Sequence, residues 1–410
     1  MNINESTWQY ISSHANDDVA QLALHPSKDP QVDMPMALQQ IAGRQKAKEK
    51  LPEWYAIEGI LYPKKVSMEQ CSSSQTAEYK VSLVEGDSFA DFSGGFGVDT
   101  AAFAKKFKKG YYVELQQELC ELFQHNCNVL DINNVNIVNG TMEDNLASVE
   151  HVDMIYLDPS RRDGHGRRVV SLTDCTPNLL EWKSALLERC NTLMVKMSPM
   201  IDIFQTLRDL PETYAVHVVA VEGECKEVVF LLKTEEMVNE KINGIRRDVP
   251  LCVSTTDPTI SAVDINKTTT SCVETTLETE HTAPPCIASE LGTYLYEPNA
   301  AVMKAGIFNA ISQHFRISKL SKSTNLFTSK EQHEDFPGRV FRVEEVHEFH
   351  PRKTAKELSH LESASIAVRN FPLTAEELRK TLKIKDGNAC YLFGCTLSNN
   401  RKVILETMKI

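Results

Sequence analysis

The chain has 410 residues, 42% hydrophobic and 24% charged. That balance is globular and excludes wholesale disorder; at about 150 residues per domain the length fits two to three domains. The net charge of −12 advertises no global attraction to nucleic acid, although a local basic patch is compatible with it. No stretch approaches the ~18 apolar residues of a membrane span, and Met1–Tyr10 lacks the basic-then-apolar pattern of a secretory leader. The 11 cysteines are scattered without a C-x-x-C pair, which predicts reduced thiols in a cytoplasmic protein and no zinc site.

Residues 1–80 read as helical. Val19, Leu22, Ala23 and Leu24 fit one apolar stripe; Met36, Leu38, Ile41 and Ala42 begin a second, which runs into Arg44, Lys46, Lys48 and Lys50 and stops at Pro52. Such a basic run is most simply a solvated helix face. From Ser88 the pattern changes. Strands are expected near Phe89–Phe92, Tyr111–Glu114, Val135–Val138, Met154–Leu157 and Thr192–Lys196, with helices near 98–108, 116–130 and 176–190. Steps of about 20 to 35 residues are the βαβ repeat of a parallel sheet. Tyr214–Val221 and Glu227–Leu232 flank Glu222-Gly223-Glu224 and predict a hairpin at an antiparallel edge. Residues 254–285 are Thr/Ser-rich, end in Pro284-Pro285, and read as a linker. A small mixed segment follows to about 330, and 331–410 form another mixed unit. There Val340–Val343 and Ile366–Val368 look like strands, Thr374 and Glu377 cap a helix, and Tyr391–Leu397 and Lys402–Met408 flank a turn at Ser398–Arg401.

The sharpest motif is Asp91-Phe92-Ser93-Gly94-Gly95-Phe96-Gly97-Val98-Asp99, between a predicted strand and a predicted helix. Its glycines permit positive φ and close approach of backbone to a ligand. Thr100 stands where the third glycine of a dinucleotide fingerprint belongs, so that fingerprint fails. An acidic strand end repels a pyrophosphate and suits a ligand with a positive group, such as the amino group of a methionine moiety. That points to S-adenosylmethionine. Glu114 ends the second strand, where a carboxylate can accept both ribose hydroxyls. Asn139-Gly140-Thr141-Met142 ends the third, with Met142 placed to pack on an adenine.

The fourth strand runs into Asp158-Pro159-Ser160-Arg161-Arg162. No aromatic follows to clamp a flipped base. Cys175 reads as part of a turn rather than a nucleophile. Arg161, Arg162, Arg167 and Arg168 bracket Gly164-His165-Gly166 and could grip phosphate; His165 is a candidate base. Lys196, ending the fifth strand, could pair with Asp158 or hold a substrate phosphate. In the last unit Glu345, His347 and His350 match no standard metal spacing, so no metal is expected.

The Asp91–Asp99 run, Asp158–Arg162 and Lys196-Met197-Ser198-Pro199-Met200 together resemble a bacterial family of class I S-adenosylmethionine-dependent methyltransferases with a C-terminal THUMP-like domain. Met68–Ser73 with Tyr79-Lys80, and Asp335–Val340, resemble it as well; Ser160 stands where the family usually has alanine. The resemblance covers nearly the whole chain apart from 254–285. It implies a helical N-terminal region (1–80), a Rossmann-like methyltransferase sheet (81–253), the Thr-rich linker (254–285), and small α+β ferredoxin-like (286–330) and THUMP-like (331–410) domains.

The expected activity is methyl transfer from S-adenosylmethionine, with RNA (tRNA or rRNA) as the acceptor. A small molecule or protein as acceptor, or a non-catalytic RNA-binding role, remain as alternatives. Candidate cofactor contacts are Asp91, Ser93, Gly94, Gly95, Phe96, Gly97 and Asp99 on the loop, then Glu114, Thr141, Met142 and Asp158. Candidate catalytic residues are Asp158, Arg161 and Lys196.

Overall fold

The computed structural model describes residues 3–161, 172–233 and 257–410. The chain divides into two compact units, residues 1–214 with 228–255, and residues 215–227 with 256–410.

The first unit opens with the helices Glu5–Ser13, Val19–Leu24 and Met34–Lys50. Each starts at a side-chain cap, where Asn4, Asp18 and Asp33 accept the backbone N–H of the residue three further on. Short helices Pro52–Tyr55, Lys65–Gln70 and Ser74–Ser82 lead to the sheet. Its strands are β1 (Ser88–Asp91), β2 (Lys109–Glu114), β3 (Val135–Asn139) and β4 (Val152–Leu157). A two-residue antiparallel pair follows, β5 (Ser160–Arg161) with β6 (Cys175–Thr176). After it come β7 (Cys190–Met197), β8 (Thr213–Val221) and β9 (Glu224–Leu232). Within this unit β7, β4, β1, β2 and β3 lie side by side and parallel, and residues 228–232 of β9 run antiparallel along β7. β2 and β3 step outward on one side of β1, and β4 and β7 on the other. The reversal between β1 and β4 is the switch point at which open α/β sheets bind ligands. The helices Val98–Ala104, Gln117–Val129 and Leu179–Leu187 fall where the 3.6-residue pattern put them.

The helical N-terminal region is not a separate preface. Leu51, Trp54, Ile60, Leu61 and Tyr62 share one buried cluster with Phe96, Val98, Tyr112 and Phe123. The basic helix face is only partly solvated: Lys50 donates to the carbonyls of Met68 (3.0 Å) and Glu69 (2.7 Å), and Arg44 lies over the Tyr55 ring at 4.7 Å.

In the second unit the expected linker is, from residue 257 on, ordered structure. β10 (Thr259–Ile265) runs parallel to β8 from Ala215 to Val221, and β11 (Thr270–Thr276) pairs antiparallel with β10. Thr, Val and Ile favour a pleated, half-buried surface. The run Thr-Ile-Ser-Ala-Val-Asp-Ile buries its middle five residues, so scarcity of large side chains misled the sequence reading. Beyond it lie β12 (Tyr294–Pro298), β13 (Ser318–Ser321), β14 (Thr324–Ser329), β15 (Gly338–Glu348), β16 (Ser363–Arg369), β17 (Lys385–Thr396) and β18 (Lys402–Lys409). They form one seven-stranded sheet in the order β13-β14-β12-β15-β18-β17-β16. The expected capping box is present, with Thr374 and Glu377 each bonded to the other's backbone N–H, and β17 and β18 form the expected hairpin. Among the described residues no helix is long and apolar enough to cross a membrane.

Trp54 is 5% exposed and meets Phe96 edge-on with ring centroids 5.0 Å apart. Truncation of a buried aromatic leaves a cavity costing about 3–5 kcal/mol. Trp54→Ala should lose that much stability in urea unfolding followed by circular dichroism. A loss under about 1 kcal/mol, the scale of an ordinary surface change, would show that the N-terminal helices do not depend on the sheet.

Candidate active site

The glycine loop is built by its neighbours. Gly97 has φ +84° and starts the helix Val98–Ala104. A Cβ there would meet the Phe123 ring at 2.1 Å, and one at Gly94 would meet the Tyr112 ring at 2.4 Å. Those two rings stack on each other at 4.4 Å, and the Tyr112 hydroxyl donates to the Gly95 carbonyl at 2.7 Å. Gly95 differs: φ is +55° and a Cβ would find only the Ser93 carbonyl, at 3.6 Å. Gly94 and Gly97 are thus required by packing from below, whereas Gly95 has room above it.

Asp91 is buried and braces this loop. One carboxylate oxygen accepts from the Ser93 N–H (2.8 Å) and hydroxyl (3.0 Å), the other from the Thr100 hydroxyl (2.6 Å). Burial pushes its pKa up to about 7, against the pull of the Thr100 and Ser93 hydrogen bonds. The Ser93 hydroxyl also accepts the N–H of Asp158 at 2.7 Å, joining the end of β1 to the end of β4. Glu114, at the end of β2, accepts from the N–H of Gly95 (2.9 Å) and of Gln116 (2.8 Å). At the end of β4 the Asp158 carboxylate pairs with the Lys196 ammonium from β7.

Asp99 opens the helix after the loop. Its carboxylate takes hydrogen bonds from Ser72 (2.7 Å) and Tyr156 (2.9 Å) and an ion pair from the fully buried Lys80 at 3.2 Å. Burial works to raise its pKa. The Lys80 charge first, then Lys196 and the two hydrogen bonds, outweigh burial and hold the carboxyl below its ordinary range. Lys80 also donates to Ser72 at 3.1 Å. Cys71 lies in the same charged neighbourhood. Burial pushes its thiol up, Lys50 and Lys196 act against that, and Asp99 adds to it.

Several expectations need correction or narrowing. The Phe96 side chain is 2% exposed and wedged against Trp54 and Tyr62, so it is a packing anchor. Met142 is 3% exposed; the exposed apolar side chain at that edge is Leu115, at 67%. The Thr141 hydroxyl caps the helix Met142–Asn145, accepting from the Asp144 N–H and donating to its carboxylate. Cys175 sits in β6 opposite Arg161. The backbone of Arg161 lies in β5. Arg162, His165, Arg167 and Arg168 lie outside the described residues.

A crystal structure of a candidate methyltransferase from Porphyromonas gingivalis W83 matches the chain over its whole length, covering 100% of both chains at 30% identity and a TM-score of 0.85. The chain belongs to this methyltransferase family. Residues 87–161 of the methyltransferase match the model described as RNA cap guanine-N2 methyltransferase, residues 294–337 a ferredoxin-like domain and residues 338–408 a THUMP-like domain. An rRNA methylase from Streptococcus thermophilus is far more distant, at 16% identity over 39% of this chain and 95% of its own, TM-score 0.31. A candidate RNA methyltransferase from Pyrococcus horikoshii is comparably distant, at 16% over 47% and 97%, TM-score 0.32. No curated protein sequence matches the chain.

Sequence reasoning gives Lys50 and Lys80 of the methyltransferase no place at the site and does not single out Leu115. For Lys80 the signal existed, since it falls on the Ala77 side of the helix Ser74–Ser82, at an apolar position of the stripe.

The ordinary aspartate value is about 3.9, so a folded value of about 7 means that the folded chain holds the extra proton between those limits. The stability Asp91 contributes is full below about pH 4 and is lost as pH rises through about 7. Asp91→Asn keeps the shape and removes the titration. Wild-type stability should fall across that window and the variant's should fall less. Equal slopes in parallel pH-dependent urea unfolding would refute the assignment.

Proposed function

We propose that the chain transfers a methyl group from S-adenosylmethionine to an RNA acceptor, with residues 81–253 holding the cofactor and 331–410 engaging the RNA. The observation carrying this reading is the convergence, at the switch point between β1 and β4, of an open glycine (Gly95), a strand-end carboxylate (Glu114) and an Asp158–Lys196 pair. The donor set fits the cofactor: a glycine without a Cβ clash admits the methionine end, a β2 carboxylate suits ribose hydroxyls, and the exposed Leu115 beside it suits an adenine face.

S-adenosylmethionine supplies an electrophilic methyl on a sulfonium. The residues of the chain supply position. Asp91 and Ser93 fix the loop, and Glu114 would hold the ribose hydroxyls through its carboxylate oxygens. Asp158, oriented by Lys196, would accept a hydrogen bond from the acceptor group and so hold its nucleophilic atom toward the methyl. Alignment of two reactants accounts for much of the rate in such an in-line transfer. Burial raises the Cys71 thiol, which disfavours a covalent cysteine route.

The RNA part of the reading rests on the matched domains and on local charge. In the THUMP-like region many cations are already paired: Arg339 and Arg369 with Glu297, Arg342 with Glu344, Arg379 with Asp386. Arg352, Lys356, Lys383 and Lys385 are exposed and are the cations we assign to phosphate contact.

Calorimetry should find S-adenosylmethionine binding in the wild type, weakened about tenfold or more by Glu114→Ala; one lost hydrogen-bonding carboxylate is worth about 1.5–3 kcal/mol. Lys196→Met should keep cofactor affinity and lower labelled-methyl transfer by roughly 10²-fold. No binding in the wild type would end the methyltransfer reading. Replacing Arg352, Lys356, Lys383 and Lys385 together by glutamine should flatten the dependence of RNA affinity on salt by up to about 3–4 units of slope. An unchanged slope, or transfer to protein or metabolite extracts alone, would remove RNA as the substrate.

A further inference from the structure

The matched domains leave one cluster unexplained, on a face of the seven-stranded sheet. His347 and Glu345 are two residues apart on β15 and so project to the same side. Glu406 on β18 lies directly across from Glu345. The His347 imidazole is 7% exposed, and its Nε2 has no hydrogen-bond partner; nor has the Oε2 of Glu406. These two atoms are 3.5 Å apart, and the same Nε2 is 3.5 Å from Oε2 of Glu345. All three candidate ligand atoms lie within 4.8 Å of one another.

Polar atoms buried without partners are costly and call for an occupant. Donor atoms bound to a tetrahedral ion at 2.0–2.1 Å stand about 3.4 Å apart, which is the spacing from His347 to each carboxylate here. The far side of the ring is furnished too: Nδ1 is 3.3 Å from Oε2 of Glu357. A carboxylate behind a ligating histidine fixes its tautomer and raises its basicity. Beside them His360 Nε2 is 3.5 Å from the other oxygen of Glu406.

We propose that His347, Glu345 and Glu406 bind a divalent first-row transition ion of the zinc type, with Glu357 orienting the histidine and water completing the shell. One imidazole with two carboxylates suits zinc-class ions, while an imidazole ligand disfavours magnesium and calcium. The ion would cross-link β15 to β18 beside the irregularity that interrupts their register between Val343 and Glu345. This expectation departs from the sequence pattern, because the third ligand comes from a strand 59 positions further along the chain. It is independent of the methyl-transfer reading.

The test uses the full chain, stripped with a chelator and dialysed against Zn²⁺ with magnesium in excess, with bound metal counted. Wild type should hold about one equivalent more than His347→Ala, and Glu345→Gln should bind at least tenfold more weakly. Glu345 is 67% exposed, so that variant reports on the site even where the buried histidine variant unfolds. Co²⁺ in place of zinc should give a d–d spectrum without thiolate charge transfer, lost in Glu345→Gln. Equal zinc in all three proteins, or none in the wild type, would overturn the site. A cobalt spectrum with thiolate charge transfer that survives in Glu345→Gln would overturn it in favour of cysteine ligands.

Discussion

The hydroxyl of Ser93 is the hinge on which the candidate site turns. It donates to the buried Asp91 carboxylate and accepts the N–H of Asp158. That one oxygen ties the loop after β1 to the loop after β4, across the gap where strand order reverses. A parallel sheet splays its connections apart at such a point, which is why ligands bind there. Without a bridge the two loops would be free to separate, and a site made of both would be only loosely defined. The bridge demands a short side chain with both donor and acceptor capacity, and it demands an acceptor beneath it. Asp91 fills that second need at a cost, since its burial in an apolar sheet disfavours the charge and raises its pKa to about 7.

The second constraint is the buried charge at Asp99. A fully buried lysine is tolerated only when paired, and removal of one member of such a pair typically costs about 3–5 kcal/mol. Lys80 comes from the segment before the sheet, Asp99 from the helix after the glycine loop, and Ser72 and Tyr156 complete the set. The pairing therefore fixes the N-terminal segment against the loop in one register. Hydrophobic contact alone, as between Trp54 and Phe96, would permit sliding; a directional charged network does not. The N-terminal helices are on this account part of the site's frame, and Cys71, Lys50 and Lys196 share a field because the frame brings them together.

Much of this was legible in the chain itself, and the misses have physical reasons. Strand ends and the glycine loop follow from periodicity and from the rule that parallel strands deliver their ends to one edge; for Lys196 that rule offers Asp158 or a substrate phosphate, and the structure shows the pair with Asp158. The direction of each side chain at that edge does not. Phe96 looks like a ligand contact by position, yet the turn at Gly95 and Gly97 aims it into the core with Trp54. Met142, expected at the ligand, is 3% exposed, and Leu115, which no periodicity singled out, is 67% exposed. The Thr-rich stretch reads as a linker when polarity is set above β-propensity, and β10 shows that small side chains suffice when a neighbouring strand offers its backbone.

The carboxyl-terminal sheet makes a related point about boundaries. The ferredoxin-like and THUMP-like matches meet at residue 337, yet β12 from the first pairs along β15 from the second. Glu297 on β12 is 5% exposed and pairs with both Arg339 and Arg369, which lie on strands that belong to the other match. A buried carboxylate without those guanidinium groups would be strongly destabilising. The two matched segments are thus one folding unit. Arg339 and Arg369 are engaged in holding it together, whereas Arg352, Lys356, Lys383 and Lys385 are exposed.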